Sequence, residues 1–211
     1  MPFRTLNNVW MVGMDAGLIS AFLLFAFIAA VTPGPSNTMI LSTGAAVGAL
    51  RGIGCPIGAS LGMGSMIILS ALGVAQLLVA APMIVIAMKI AGSLFLAWLA
   101  WKILNAGTFE GDGKERATGL VEAFFFQWMN PKGWLVALSA GSTYLVPTPH
   151  HEIRVALWMG MLFAAAAFPA GTIWLGMGAL IARLLRDPRS AKIFNTAMAA
   201  ALVISIMMVW R

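Results

Sequence analysis

Val31-Thr32-Pro33-Gly34-Pro35-Ser36-Asn37 decides how the first third of the chain is read. The stretch interrupts an apolar run bounded by the charged residues Asp15 and Arg51. A straight helix between those two would be about 54 Å long, against a hydrocarbon core of about 30 Å. The two prolines remove backbone donors and push the residues before them out of helical geometry, while Gly34 lets the chain bend. The run is therefore expected as two arms, Ala16–Val31 and Ser36–Ala49. In lipid an unpaired backbone group costs several kcal/mol, roughly, so such a break survives only where protein or a cavity receives it.

Composition sets the solvent. Of 211 residues, 61% are hydrophobic and 9% charged, where a soluble domain carries about 25% charged residues. The fold class expected is an all-α polytopic membrane protein with six transmembrane helices at about 20 residues each, as a single transporter domain over residues 1–211. Membrane lipid is its first partner. The net charge of +6 comes from basic residues spread over the ends of apolar runs, which is the pattern of topology signals rather than of nucleic-acid binding. The lone cysteine, Cys55, excludes an intrachain disulfide and a dithiol redox pair and reads as a packing residue. The first fourteen residues lack the short apolar core and small-residue cleavage site of a removable signal peptide.

Beyond the broken first span, the second is expected from Cys55 to Val79 and the third from Pro82 to Leu104. Gly44, Gly48 and Gly52, then Gly54, Gly58 and Gly62, recur every four residues. That spacing lets helices approach closely, within the bundle or across a homodimer. Residues 105–119 form a polar linker carrying Glu110, Asp112, Lys114, Glu115 and Arg116. The fourth span runs from Val121 to Val146 and is interrupted at Asn130-Pro131-Lys132-Gly133. The fifth runs from Ile153 to Ile181 with Pro169 near its middle, and the sixth from Ala191 to Trp210. Eight basic residues fall in the first, third and fifth connections (Arg51; Lys102, Lys114, Arg116; Arg183, Arg186, Arg189, Lys192). Arg4, Arg154 and Arg211 fall on the other side, which places both termini outside the cytoplasm.

The two breaks match in kind. With Pro33 over Pro131, Thr38-Met39-Ile40-Leu41-Ser42 lies over Leu135-Val136-Ala137-Leu138-Ser139 after short gaps. Each half (about 15–104 and 120–211) then holds three spans with a broken first helix. Because three is odd, the second half enters the membrane from the opposite side: a 3+3 inverted-topology repeat. Paired interruptions in corresponding positions point to a transporter's binding site.

The sequence also resembles the LysE/RhtB amino-acid exporters. The residues that carry the likeness are Thr32-Pro33-Gly34-Pro35-Ser36-Asn37, the glycine run through Gly58 and Gly62, and Lys89-Ile90-Ala91-Gly92. Leu96-Ala97-Trp98-Leu99-Ala100-Trp101-Lys102 and Phe126-Gln127-Trp128-Met129-Asn130-Pro131-Lys132 continue it over nearly the whole chain. The resemblance implies export of amino acids or their derivatives from the bacterial cytoplasm across the inner membrane, driven by the proton gradient. The chain departs from the family pattern at Ser36, where asparagine is commoner, at Glu122 and at the bulky Trp134.

The residues themselves suggest how such a substrate is held. Pro33, Gly34, Pro35, Ser36 and Asn37 at one break, with Asn130, Pro131 and Lys132 at the other, form the candidate substrate site. A helix restarting at Ser36 and a second near Gly133 each offer first-turn N–H groups to a carboxylate. Asn37 and Asn130 can both donate and accept, to a zwitterion or as caps of their own helices. Lys132 opposes the dipole of the helix it starts. It is expected to meet water, a nearby acid such as Glu122 or the substrate carboxylate, and so to neutralise the substrate or take part in ion coupling, unless it reaches the lipid headgroups. Lys89, Glu122 and Asp15 are the coupling candidates, although no acid falls clearly at the midplane. Few fixed charges in the spans favour small, neutral or apolar amino acids.

No nucleophile–base set marks an enzyme, and no cofactor or metal site is expected. The competing reading is an inorganic-ion or metal exporter, which would require His, Cys, Met or acidic ligands at the midplane. A purely structural subunit is the third reading, but an inert span has no need of paired breaks.

Overall fold

A computed structural model describes residues 15–73, 82–105, 118–145, 151–184 and 187–209. The linker over 106–117, the end of the second span to Val79, His150 and both chain termini lie outside the described residues. Every described element is a helix: α1 (Ala16–Val31), α2 (Pro35–Gly52), α3 (Gly54–Ala71), α4 (Pro82–Leu104), α5 (Leu120–Met129), α6 (Pro131–Tyr144), α7 (Glu152–Leu184) and α8 (Pro188–Val209).

Both interruptions fall where the prolines dictate. Thr32, ahead of Pro33, is extended at φ −61°, ψ 128°, and α1 and α2 meet at a bend of 63°. Asn130, ahead of Pro131, is extended at φ −82°, ψ 109°, and separates α5 from α6. One detail differs from expectation: α2 starts at Pro35 rather than Ser36, and α6 at Pro131 rather than Gly133. Proline fits the first helical position because its missing N–H would have no partner there. By helix position, Pro35 and not Pro33 corresponds to Pro131. Pro169, by contrast, is accommodated inside α7 without ending it. Gly48 bends α2 at φ 81°, a left-handed conformation that glycine adopts without a side-chain penalty.

Among the described residues, α3 and α7 are long and apolar enough to cross a membrane, and the bent pair α1–α2 meets the same measure when its two helices are taken together. The helices pack as a bundle: α7 lies against α1, α2 and α3, while α3 also packs on α5 and α6, and α4 packs on α8. Glycine makes these approaches close. A methyl group added at Gly58 would run into the Leu120 carbonyl, one at Gly44 into the Leu175 carbonyl, and one at Gly62 would lie 2.8 Å from the Phe124 carbonyl. The recurrent glycines thus serve packing within the chain. Of the six, Gly48 alone has nothing within 4 Å among the described residues.

α3 and α7 cross with reciprocal contacts. A Cβ at Gly64 would meet the Gly160 carbonyl at 2.8 Å and Ala164 at 3.2 Å; one at Gly160 would meet the Gly64 carbonyl at 2.7 Å and crowd Ile68. The same sequence separation divides Gly64 from Gly160, Ile68 from Ala164 and Pro35 from Pro131. Two apolar clusters flank this crossing. One joins Phe22, Met66, Trp134 and Phe163; the other joins Met39, Ile40, Cys55, Phe126 and Leu175. Phe22 stacks edge-on against Tyr144 at 5.3 Å and Phe163 at 6.2 Å. In lipid such contacts replace the water-driven effect as the source of cohesion.

Candidate binding cavity between the two breaks

The 63° bend leaves the carbonyls at the end of α1 without their usual donors, and the structure supplies replacements one at a time. Ile28 keeps its helical donor, the Thr32 N–H at 3.0 Å, and adds the Thr32 hydroxyl at 2.6 Å. The Asn37 amide donates to the Ala30 carbonyl at 3.0 Å and to that of Thr32 at 2.7 Å. Trp174 Nε1, from α7, donates to Val31 at 3.1 Å. Lys132 Nζ donates to Thr32 at 2.6 Å and Pro33 at 3.3 Å. Ala29 is the exception. Its helical donor would be the N–H of residue 33, which is proline, and Ala29 lines a cavity.

The second break is closed by its own residues. The Asn130 carboxamide oxygen accepts from Lys132 N at 3.1 Å, capping α6, and the Asn130 N–H donates to Gln127 O at 3.1 Å. Trp134 Nε1 donates to the Trp128 carbonyl at 2.8 Å, so this bulky residue secures the end of α5. The two breaks are then laced together. Ser36 Oγ donates to Gln127 Oε1 at 2.5 Å and accepts from Asn130 Nδ2 at 2.8 Å, while Gln127 Nε2 donates to Met63 Sδ at 3.1 Å.

Between them lies a cavity of about 60 Å³, bounded by Gly34, Ser36 and Asn37 on α2's side, Gln127, Asn130 and Lys132 on the other, and Ser60 and Met63 from α3. It draws on both apolar clusters, through Phe163 and Ile40. A single water needs roughly 10–15 Å³ of such space, so a few waters, or a small organic molecule in their place, fit. Two helix ends border it with opposite polarity. Ala29, at the C-terminal end of α1 and without a helical donor for its carbonyl, lines one side. The N-terminus of α2 lines the other with Ser36 and Asn37, and its cap residue, Gly34, has no side chain to bond the first-turn N–H groups. α6 lacks this opening, because Asn130 caps it.

The structure therefore brings Gly34, Ser36, Asn37, Asn130 and Lys132 to one cavity, and leaves Pro33, Pro35 and Pro131 as the residues that shape it. Asp15 and Glu122 lie elsewhere as helix caps: Asp15 Oδ1 accepts from Leu18 N at 2.7 Å, and Glu122 Oε2 from Gly119 N at 3.0 Å. Lys89, half-buried on α4, does not line the cavity. The compensation for Lys132 comes from the Thr32 and Pro33 carbonyls just past α1, while Glu122 bonds Gly119 N. Gln127, Ser60 and Met63 escaped the sequence reading. A glutamine after three phenylalanines, one turn ahead of Asn130, was a usable signal for the first. Among the described residues no group of three or more His, Cys, Asp and Glu side chains is placed to hold a metal ion.

A family model described as LysE type translocator matches residues 27–209. The chain belongs to that family. Its curated relatives include the cysteine/O-acetylserine efflux proteins of Salmonella choleraesuis (strain SC-B67) and Escherichia coli (strain K12). Each is 30% identical over 174 residues, spanning 82% of this chain and 88% or 89% of the relative. No solved structure matches the chain. Membership makes this LysE type translocator a transporter and not an enzyme, and with its apolar helices a multi-pass protein of the inner membrane.

Proposed function

We propose that this translocator exports small, neutral amino acids or their derivatives from the bacterial cytoplasm, holding each one in the cavity between its two proline breaks. The observation that carries the reading is the meeting of opposite helix ends there. An amino acid is a zwitterion, and the α1 carbonyl end suits its ammonium while the open α2 N-terminus suits its carboxylate. The relatives are cysteine/O-acetylserine efflux proteins, whose small, net-neutral substrates agree with a cavity that no acidic side chain lines among the described residues. Lys132, the one ionisable side chain lining the cavity among the described residues, lies at its rim with its ammonium bonded to α1.

The carrier is read as a 3+3 inverted repeat with α1–α2, α3 and α4 in one half and α5–α6, α7 and α8 in the other. The reciprocal Gly64–Gly160 contact supports a local two-fold axis through the α3–α7 crossing, and α4 pairing with α8 agrees with it. The Ser36–Gln127–Asn130 lacing then joins the halves where alternating access would part them. Both termini lie outside the cytoplasm in this reading, and the proton gradient drives export.

Purified protein in proteoliposomes, loaded with labelled O-acetylserine, cysteine or lysine, tests the proposal. Efflux of the first two, accelerated by an inward proton gradient, is expected. Transport of lysine alone, or of none of the three, would refute it.

A further inference from the structure

The polar side chains that line the cavity are almost all engaged with the protein itself. Asn37 holds α1, Asn130 caps α6 and reaches Ser36, Gln127 bridges Ser36 and Met63, and Lys132 holds Thr32 and Pro33. Ser60 differs. It is 6% exposed, lines the cavity from α3, and has no hydrogen-bond partner among the described residues.

Serine and threonine inside apolar helices ordinarily return their hydroxyl to the carbonyl one turn back. Several in this chain do so: Ser20 bonds Ala16 at 2.8 Å, Thr43 bonds Met39 at 2.9 Å, and Ser65 bonds Gly62 at 2.7 Å, while Ser70 donates to Ala137 across to α6 at 2.7 Å. Ser42 also lacks a partner, but it does not line the cavity. The hydroxyl of a buried residue that lines a cavity and is left without a protein partner calls for an occupant of that cavity.

We propose that Ser60 reads the side chain of the bound amino acid, selecting small substrates that carry an uncharged oxygen or sulfur group. The inference rests on the export reading above. With the zwitterion's two charged ends at the helix termini of the first break, the side chain projects across the cavity toward α3. There Ser60 lies one helical turn before Met63, whose thioether adds a soft, polarisable wall. A hydroxyl both donates and accepts, so it serves a thiol, an alcohol or an ester oxygen alike. It offers nothing to an alkyl side chain of the same size.

The test uses the full chain in proteoliposomes and compares O-acetylserine and cysteine with the alkyl amino acid 2-aminobutyrate, an isostere of cysteine without the heteroatom. Wild type is expected to favour the first two. Ser60→Ala should raise the KM for both about three- to tenfold, the value of one neutral hydrogen bond, and leave the alkyl isostere's KM unchanged. Ser60→Thr, which keeps the hydroxyl, should retain the preference. Equal changes for all three substrates, or no change in Ser60→Ala, would overturn the assignment while leaving export intact. Wild-type vesicles that carry none of the three would overturn the export reading, and this inference with it.

Discussion

The ammonium of Lys132 sits 2.6 Å from the carbonyl oxygen of Thr32, across the junction between the two broken helices. A cation in the first turn of α6 is opposed by that helix's own dipole, and here the negative end of α1 offsets it. The aliphatic stem lies over Gly34, where an added Cβ would stand 3.0 Å from the lysine Cδ. One side chain thus ties the start of α6 to the break between α1 and α2. Lys132→Met should lower stability by about 1–2 kcal/mol, through the lost charge-assisted bonds, and abolish export. Lys132→Arg should restore most of the stability. Thermal unfolding in detergent, run beside vesicle flux, reads both. A methionine variant with wild-type stability and flux would contradict the tie.

Asn37 holds two carbonyls at the end of α1 with a single amide nitrogen. Asn37→Ala would leave both without that donor in an apolar setting, at about 2–3 kcal/mol. Asn37→Asp should be worse, because an acceptor replaces the donor and faces two carbonyl oxygens. Stability is therefore expected in the order Asn, Ala, Asp, measured by the same thermal assay. An aspartate variant more stable than the alanine one would show that the side chain does not act as donor.

The Ser36 hydroxyl links Gln127 and Asn130 across the two breaks. A double-mutant cycle of Ser36→Ala with Gln127→Leu isolates the bond between them. A coupling energy of about 1 kcal/mol is expected, alongside reduced flux in each single variant. Strictly additive effects would mean that the two side chains stabilise the protein independently.

Gly64 and Gly160 press on one another's carbonyls at the α3–α7 crossing, whereas Gly176 has nothing within 4 Å among the described residues. Gly64→Ala and Gly160→Ala should each destabilise, by similar amounts of about 1–3 kcal/mol. Gly176→Ala should be neutral or gain up to about 1 kcal/mol from helix propensity. Unequal losses at the two crossing glycines would weaken the two-fold reading of the bundle.

Much of this architecture was legible in the sequence because proline and glycine act locally. α1 ends at Val31 and α4 spans Pro82–Leu104 as expected, and both breaks fall at the prolines. The one-residue displacement of α2's start reflects proline's place at the first helical position, which the earlier Pro33 obscured. The capping of α1 was not legible, since two of its donors, Trp174 and Lys132, come from 143 and 100 residues away in sequence. Asp15 and Glu122 stand out as coupling candidates because charge is rare in this chain; what the sequence did not show is that each also caps its own helix. Ser60 gave no signal at all. A serine among small residues reads as packing until its hydroxyl is found without a bond.

The central claim is that an amino acid occupies the cavity between the breaks during export. Cys55 is the chain's one cysteine and is buried, so Cys55→Ser provides a background without thiols. Ala167, which lines the cavity, is then replaced by cysteine, and its labelling by a small maleimide is followed as O-acetylserine is added. Protection that rises with the same concentration dependence as transport is the predicted result. Full labelling at saturating substrate, in vesicles that continue to transport it, would contradict the claim.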